Sequence, residues 1–335
     1  MKDSITLAHG SGGRAMHDLI NEIFKKHFSN EFLDSGDDAA RLEMPSGRVA
    51  FTTDSYVVSP VFFRGGNIGR LAVCGTVNDL SALGALPLYL SCGFILEEGL
   101  LLAELEDIVR SMAETAAECG VKLVTGDTKV VRKGDADRIF INTSGIGLIP
   151  EGVEISGRRA SPGDRVIITG TVGDHGCAVL LDRERLGINA SVVSDCAPLS
   201  AMVQSLLKQT GDVHVLRDPT RGGLATTLNE IAAQSGIGIR LFEEKIPVRD
   251  EVRGICELLG LDPLYMANEG KMLVIVPGAS AEKALEALRG SRYGSMACVI
   301  GEVVEKPAGR VFMQTVAGGS RILDMLSGEQ LPRIC

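Results

Sequence analysis

Five short segments set aspartates beside glycine, threonine, asparagine or proline: Gly36-Asp37-Asp38, Thr52-Thr53-Asp54, Val77-Asn78-Asp79, Thr125-Gly126-Asp127 and Arg217-Asp218-Pro219. All except Asn78-Asp79 fall near expected strand ends or loops, where an Asp can also serve simply as a turn former or helix cap. Carboxylates gathered without cations repel one another and their pKa values rise. A hard divalent ion removes that penalty, and Mg²⁺ takes a few carboxylates together with waters and phosphate oxygens. Two glycine clusters precede expected helices: His9-Gly10-Ser11-Gly12-Gly13 and Thr220-Arg221-Gly222-Gly223. Backbone N–H groups at such helix starts suit phosphate, and ordinary loop flexibility is the competing reading. Neither cluster fits GxxxxGK[ST] or a clean GxGxxG.

Eight cysteines are scattered without a CxxC pair, which supports neither a metal cluster nor a disulfide framework. Most are expected to be small buried hydrophobes. Cys335 differs because it is the terminal residue, and a free thiol there titrates near 8.5. The adjacent α-carboxylate is expected to raise that value and Arg333 to offset it. The chain has 335 residues, 45% hydrophobic and 23% charged, enough for two cores. A net charge of −9, aromatics at 4% and no Trp argue against nucleic-acid binding. No apolar run reaches membrane-spanning length, and Met1-Lys2-Asp3-Ser4-Ile5-Thr6 lacks a signal-peptide core. No membrane association and a cytoplasmic location are therefore expected.

The elements that must position these residues alternate between strand and helix, which argues for an α/β (α+β) architecture. Apolar Met16, Leu19, Ile20, Ile23, Phe24 and Phe28 predict a helix over 14–33. Strands are predicted at 49–58, 88–96, 121–125 and 139–148, with helices at 70–83 and 101–119. The turn-rich stretch Ser156 to Asp164 suggests a boundary. Beyond it, strands are expected at 165–170, 237–242, 271–276 and 296–304, and helices at 175–186, 198–208, 223–234 and 280–289. The pattern weakens after about 310, and Gly328 to Cys335 reads as a mobile tail, with a hinge at Ser327-Gly328-Glu329. The division expected is 1–155 for nucleotide binding and dimerisation, 156–325 for a second α/β domain, and 326–335 for the tail.

The string Val77-Asn78-Asp79-Leu80-Ser81-Ala82-Leu83-Gly84-Ala85-Leu86-Pro87 is similar to a signature of the aminoimidazole ribonucleotide synthetase-like superfamily. Thr53-Asp54, Gly126-Asp127-Thr128 and Asp218-Pro219-Thr220-Arg221-Gly222-Gly223 resemble its other nucleotide-site segments, in the same order. Within it, Ala8 to Gly13, Ser91 to Glu98, Val124 to Val131, Gly173 to Gly176, Ala267 to Lys271 and Pro332 to Cys335 resemble the HypE family of hydrogenase maturation factors over essentially the whole chain. The resemblance implies a homodimer whose N-terminal sheets form a shared β-barrel, with ATP and Mg²⁺ in the cleft between the domains. The aspartates taken as candidate metal residues from their settings are Asp37, Asp54, Asp79, Asp127 and Asp218. The resemblance implies Gly10, Ser11, Gly12, Gly13, Asn78, Thr128, Thr220, Arg221, Gly222 and Gly223 as nucleotide contacts. It also implies a reaction. A HypF-type carbamoyltransferase loads Cys335, ATP-dependent dehydration turns the thiocarbamate into a thiocyanate, and the cyano group passes to iron on a HypC–HypD complex for [NiFe]-hydrogenase.

The residue types suit that chemistry. A carbamoyl oxygen leaves poorly until it is phosphorylated, and protons must leave the nitrogen. Glu269 is the candidate base, with a structural turn carboxylate as the alternative. Lys129 is a candidate for neutralising phosphate or assisting proton transfer, or else a solvated strand-end lysine. His9 and His175 sit in glycine-rich loops and could orient phosphate or simply be structural. Sulfur suits Cys335 for holding an acyl carbon and then releasing a cyano group. Two other readings remain at this point: an ATP-using superfamily enzyme acting on a free small molecule, and a non-catalytic carrier presenting Cys335. The selenophosphate enzymes of the superfamily carry their reactive residue near the N-terminus, where this chain has no cysteine.

Overall fold

The computed structural model describes residues 4–35, 37–184, 188, 190–326, 328 and 331–335. The first half opens with a helix of mixed winding: α1 (Arg14–Leu19), a π-helical stretch Ile20–Lys25, and α2 (Lys26–Phe28). It stops short of the expected 33. Ser29 turns to extended backbone, and the Asn30 side chain accepts from the N–H groups of Phe32 and Leu33. There follow β1 (Arg48–Tyr56), the short β2 (Phe62–Phe63) and β3 (Gly66–Asn67), α3 (Ile68–Ala82), β4 (Leu86–Glu97), α4 (Leu102–Cys119), β5 (Lys122–Val131) and β6 (Ile139–Ile149). The main sheet has the order β1-β6-β4-β5, and only β4 and β5 run parallel.

Helix α3 is the hub. The Asn67 side chain caps it, accepting from the N–H groups of Gly69 and Arg70. Every residue from Ile68 to Ala82 is buried except Arg70 and Asp79, as a helix with apolar or small residues all round requires. Two glycines allow its close approaches. A Cβ on Gly69 would strike the backbone of α4, and one on Gly75 would strike the Tyr56 ring. Its buried side chains join the sheet and α4 in one core.

The second half contains β7 (Arg165–Ile168), α5 (Asp174–Glu184), α6 (Ser200–Thr210), β8 (Val215–Arg217), α7 (Gly223–Ser235), β9 (Gly238–Phe242), α8 (Asp250–Leu259), β10 (Leu273–Val276), α9 (Ala281–Arg289), β11 (Cys298–Val304), β12 (Arg310–Gln314) and β13 (Ser320–Leu323). Its sheet runs β13-β12-β9-β11-β7-β10-β8, and only β12 and β9 pair in parallel. The weak pattern beyond 310 hides two real strands, and sequence reading also passed over β8 and α8. Cores pack on both faces of this sheet.

The two halves are tied by Asn78. Its amide donates to the carbonyls of Ala197 at 3.0 Å and Glu269 at 3.4 Å, and its oxygen accepts from the Leu199 N–H at 2.8 Å. Expected to contact nucleotide, this side chain is instead committed to backbone. Removing it orphans buried groups, which costs about 1–3 kcal/mol. Asn78→Ala is expected to lose about 2 kcal/mol in urea unfolding with an unchanged m-value. A loss below about 0.5 kcal/mol would show that the tie is not needed.

Candidate functional site: a carboxylate cleft around the terminal thiol

Period-two alternation along β1 aims Thr52, Asp54 and Tyr56 toward α3. The Thr52 hydroxyl donates to Asp79 Oδ2 at 2.8 Å, and the Tyr56 hydroxyl lies 3.3 Å from that of buried Thr76. Asp54 stands close enough to Asp79 and the Tyr56 hydroxyl for both to bear on its carboxyl. Across from them stand Asp218, just after β8, Thr220 and Arg221 before α7, and Glu269 before β10. Together with Cys335 these residues line a cleft of about 580 Å³.

The cleft is short of positive charge. Burial first, then the Asp79 charge and hydrogen bond, push Asp54 up to about 6 against the partial relief of Arg221. Burial, followed by Asp79, pushes Asp218 up to about 7. Glu269 is buried, its Oε1 has no hydrogen-bond partner, and burial holds its carboxyl well above the usual range, with Cys196 and Asp218 adding to the effect. The Cys335 thiol is pushed up to about 12, chiefly by burial and then by Glu269, while Arg221 opposes the rise. The resting sulfur is therefore a thiol, and Glu269 is a carboxylic acid. A base at this position must first be ionised by added positive charge.

Arg333, expected to relieve the thiol, faces elsewhere. Its Nε donates to the Val57 carbonyl at 2.8 Å, its Nη1 reaches Asp137 at 2.6 Å, and the guanidinium lies over the Phe140 ring. The end of the chain is docked rather than free. The Val57 N–H donates to the main-chain oxygen of Cys335 at 3.0 Å, the Ser59 N–H donates to the Arg333 carbonyl at 3.3 Å, and Ile334 is only 5% exposed. The suggested hinge residues Ser327 and Glu329 lie outside the described residues.

Several residues expected at the site are not brought to this cleft within one chain. Strands β1 and β5 are opposite edges of their sheet, so Asp127 stands far from Asp54. It lies inside β5, not at a strand end, and is exposed and paired with Lys129 at 2.6 Å, which lowers its pKa. Thr128 lines a separate, smaller apolar cavity beside the π-helical stretch. Asp37 is exposed and 3.8 Å from Arg41. Gly10 lies beside the end of β5, where a Cβ would meet Val130 at 2.8 Å, while Gly12 and Gly13 have no such close neighbour outside their own turn, which Ser11 closes by donating to the Ala8 carbonyl. His9 caps its own turn, accepting from the Thr6 N–H at 2.9 Å. Gly222 caps α7, and at Gly223, with φ 61°, an added Cβ would strike the carbonyls of Leu264 and Met266 at 2.6 Å. Thr52 and Tyr56 were missed in sequence, although the strand period around Asp54 pointed to both.

Among the described residues no three His, Cys, Asp or Glu side chains form a ready metal cage. The donor set is nevertheless all oxygen. Raised carboxyls and an unpartnered buried oxygen are the signs of a site short of a cation, so the residues fit a hard divalent ion completed by waters and phosphate oxygens.

Comparison with known proteins gives the family. Residues 36–149 match the N-terminal domain of AIR synthase related proteins, and residues 161–314 match the C-terminal domain. The carbamoyl dehydratase HypE of Azotobacter vinelandii is 54% identical over 332 residues, covering 99% of this chain and 97% of that protein. The crystal structure of a hydrogenase maturation protein HypE in complex with ATP superposes with a TM-score of 0.95 at 55% identity, covering 98% of this chain and 99% of that one. A chain from a HypE–HypF complex superposes at 0.81 with 51% identity, over 92% and 99%. The chain belongs to the HypE carbamoyl dehydratase family of AIR synthase related proteins.

Proposed function

We propose that this chain uses ATP to dehydrate a carbamoyl group carried on its own Cys335, producing a thiocyanate whose cyano group is destined for iron in [NiFe]-hydrogenase maturation. The observation that carries this reading is the docked thiol, placed in a cleft with Asp54, Asp79, Asp218, Glu269 and Arg221. The naming of relatives as carbamoyl dehydratases and the ATP complex of one HypE support it.

The γ-phosphoryl passes to the carbamoyl oxygen and ADP departs. The C–O bond then breaks, phosphate carries the oxygen away, and the nitrogen gives up two protons, so that water is lost overall. Glu269 stands beside the sulfur as acceptor for a nitrogen proton. Arg221 is the cation that opposes charge build-up at Cys335 and Asp54. Asp54, Asp79 and Asp218 are the groups that would hold Mg²⁺, which when bound supplies phosphate-charge neutralisation and favours ionised carboxylates. Burial of the site excludes water from the thiocarbamate.

We assign 1–155 to the first domain, 156–325 to the second and 326–335 to an arm that leaves the cleft to meet a HypF-type donor and a HypC–HypD acceptor. The HypE–HypF complex supports the first of these encounters. A homodimer is supported by the uncovered sheet face, where Val49, Phe51, Leu86 and Ile95 are exposed. Asp127 and Lys129, remote from their own cleft, lie on an edge available to the second copy. Among the described residues no helix is long and apolar enough to cross a membrane, and the proposed setting is the cytoplasm.

Three outcomes test this reading. Cys335→Ala keeps its fold and Mg²⁺-ATP affinity, and no longer shows ATP consumption that depends on the carbamoylating partner. Retention of that consumption at the wild-type rate refutes the assignment. Asp79→Asn lowers Mg²⁺-ATP affinity at least about tenfold by calorimetry, and an unchanged affinity removes Asp79 from the site. The third follows from the raised carboxyls. Asp54 and Asp218, at about 6 and about 7, hold protons that the unfolded chain has lost. The folded state then binds more protons, so metal-free stability falls as pH rises from about 4 to about 7. Mg²⁺ binds the ionised forms, and its stabilising shift in Tm grows over the same range. A shift independent of pH contradicts the carboxylate site.

A further inference from the structure

Helix α5 carries two side chains that reach the end of the chain from about 150 residues away in sequence. The His175 ring, fully buried, has Nε2 2.8 Å from the Ile334 carbonyl and Nδ1 2.8 Å from the Ser194 hydroxyl. A carbonyl only accepts, so Nε2 bears the proton and Nδ1 accepts from Ser194. The Ser194 oxygen accepts in turn from the Cys196 N–H at 3.1 Å. Each bond thus has one allowed direction, running Cys196 to Ser194 to His175 to Ile334. The Phe63 ring stands edge-on to the imidazole with centroids 5.4 Å apart, fixing its plane. Further along α5, Arg183 donates to the Arg333 carbonyl at 2.7 Å and to the Ser59 carbonyl at 2.8 Å.

Those contacts fix register as well as attachment. The carbonyls of 333 and 334 are held by α5, while the main-chain oxygen of Cys335 is held by the Val57 N–H. The Ile334 side chain packs in the core that also contains Val179 of α5, Cys196 and Ala267. One residue later the chain ends with its sulfur in the carboxylate cleft. A slip of one residue would put Ile334 in place of the thiol.

We propose that His175 is a positioning residue for the reaction: its Nε2–H, oriented through Ser194, seats the Ile334 carbonyl and so holds the Cys335 sulfur in the cleft. This rests on the reading of Cys335 as the carrier of the reacting group. It turns the early view of His175 as a group orienting phosphate into a role toward the chain's own terminus. His175 acts through the backbone of Ile334 and touches no reacting atom.

The test compares His175→Leu, His175→Gln and Ser194→Ala in the full-length chain. Gln keeps an N–H near the Nε2 position, Leu removes it, and the Ser194 change leaves the ring but frees its tautomer. The first readout is the rate at which iodoacetamide alkylates Cys335, followed by peptide mass spectrometry without ATP. The docked thiol is half-buried and reacts slowly, whereas the released thiol is ordinary. H175L is expected to react at least about tenfold faster than wild type, S194A about threefold faster, and H175Q within about threefold of wild type. The second readout is dehydration of carbamoylated protein, slowed in H175L and restored in H175Q. Alkylation of H175L at the wild-type rate, or of H175Q as fast as H175L, overturns the proposal. Should H175L fail to fold, S194A decides it, and a wild-type rate there is the contrary result. Because alkylation needs no ATP, it is independent of the dehydratase reading. Absence of dehydration in the wild type itself would count against that reading alone.

Discussion

Five carboxyl side chains and one thiol line a cleft whose arginines are Arg217, already paired with Glu230, and Arg221. That imbalance is the constraint around which the site is built. In water, Asp54, Asp218 and Glu269 would be ionised at neutral pH. Here burial and mutual repulsion move Asp54 up to about 6 and Asp218 up to about 7, and hold Glu269 well above the usual carboxylate range. The crowding is sustained by rigid supports. Strand β1 presents every second residue toward α3, α3 is packed on all sides, and the Asn78 amide locks it to the loops that carry Glu269 and residues 197–199. A site held in this way cannot relax by spreading its charges. It responds to cationic ligands instead, and the same ligands allow Glu269 to ionise beside the sulfur.

The terminal arm follows from the same logic. Its thiol is kept protonated while docked, so it is protected from stray chemistry as long as the backbone of residues 333–335 is held. The bonds that hold it are main-chain bonds, satisfied from α5 and from residues just beyond β1. Such bonds do not depend on what the sulfur carries. On the proposed function the arm docks loaded or unloaded in one register, and its release costs a few hydrogen bonds and the burial of Ile334 rather than the unfolding of a core element.

Much of this was legible in the residues, and the failures have definite causes. The helix over 68–82 and the strands on either side of it are marked by apolar runs, and the carboxylate content of Asp54, Asp79 and Asp218 was visible from their settings. Asp127 was misplaced because Gly126 and Asp127 read as a strand end, whereas parallel pairing with β4 carries β5 straight through them to Val131. Glycine clusters were read as phosphate loops. Within one chain the missing Cβ at Gly10 and Gly223 serves close packing against Val130 and against the carbonyls of Leu264 and Met266, a use the glycine pattern does not announce. The tail was read as free because its partners, His175 and Arg183, are remote in sequence and bind backbone atoms, which leave no side-chain pattern. Strand β8, at three residues, is too short to show a period.

The central claim is that the reacting group sits on Cys335 and loses water there. Intact-protein mass spectrometry, with peptide mapping, measures this directly after incubation with the carbamoylation partner and then Mg²⁺-ATP. The expected record is gain of a carbamoyl group on Cys335, followed by loss of one water from the same residue only when ATP is present. A carbamoylated Cys335 that keeps its water in the presence of Mg²⁺-ATP, or a water loss that maps to another residue, would contradict the account.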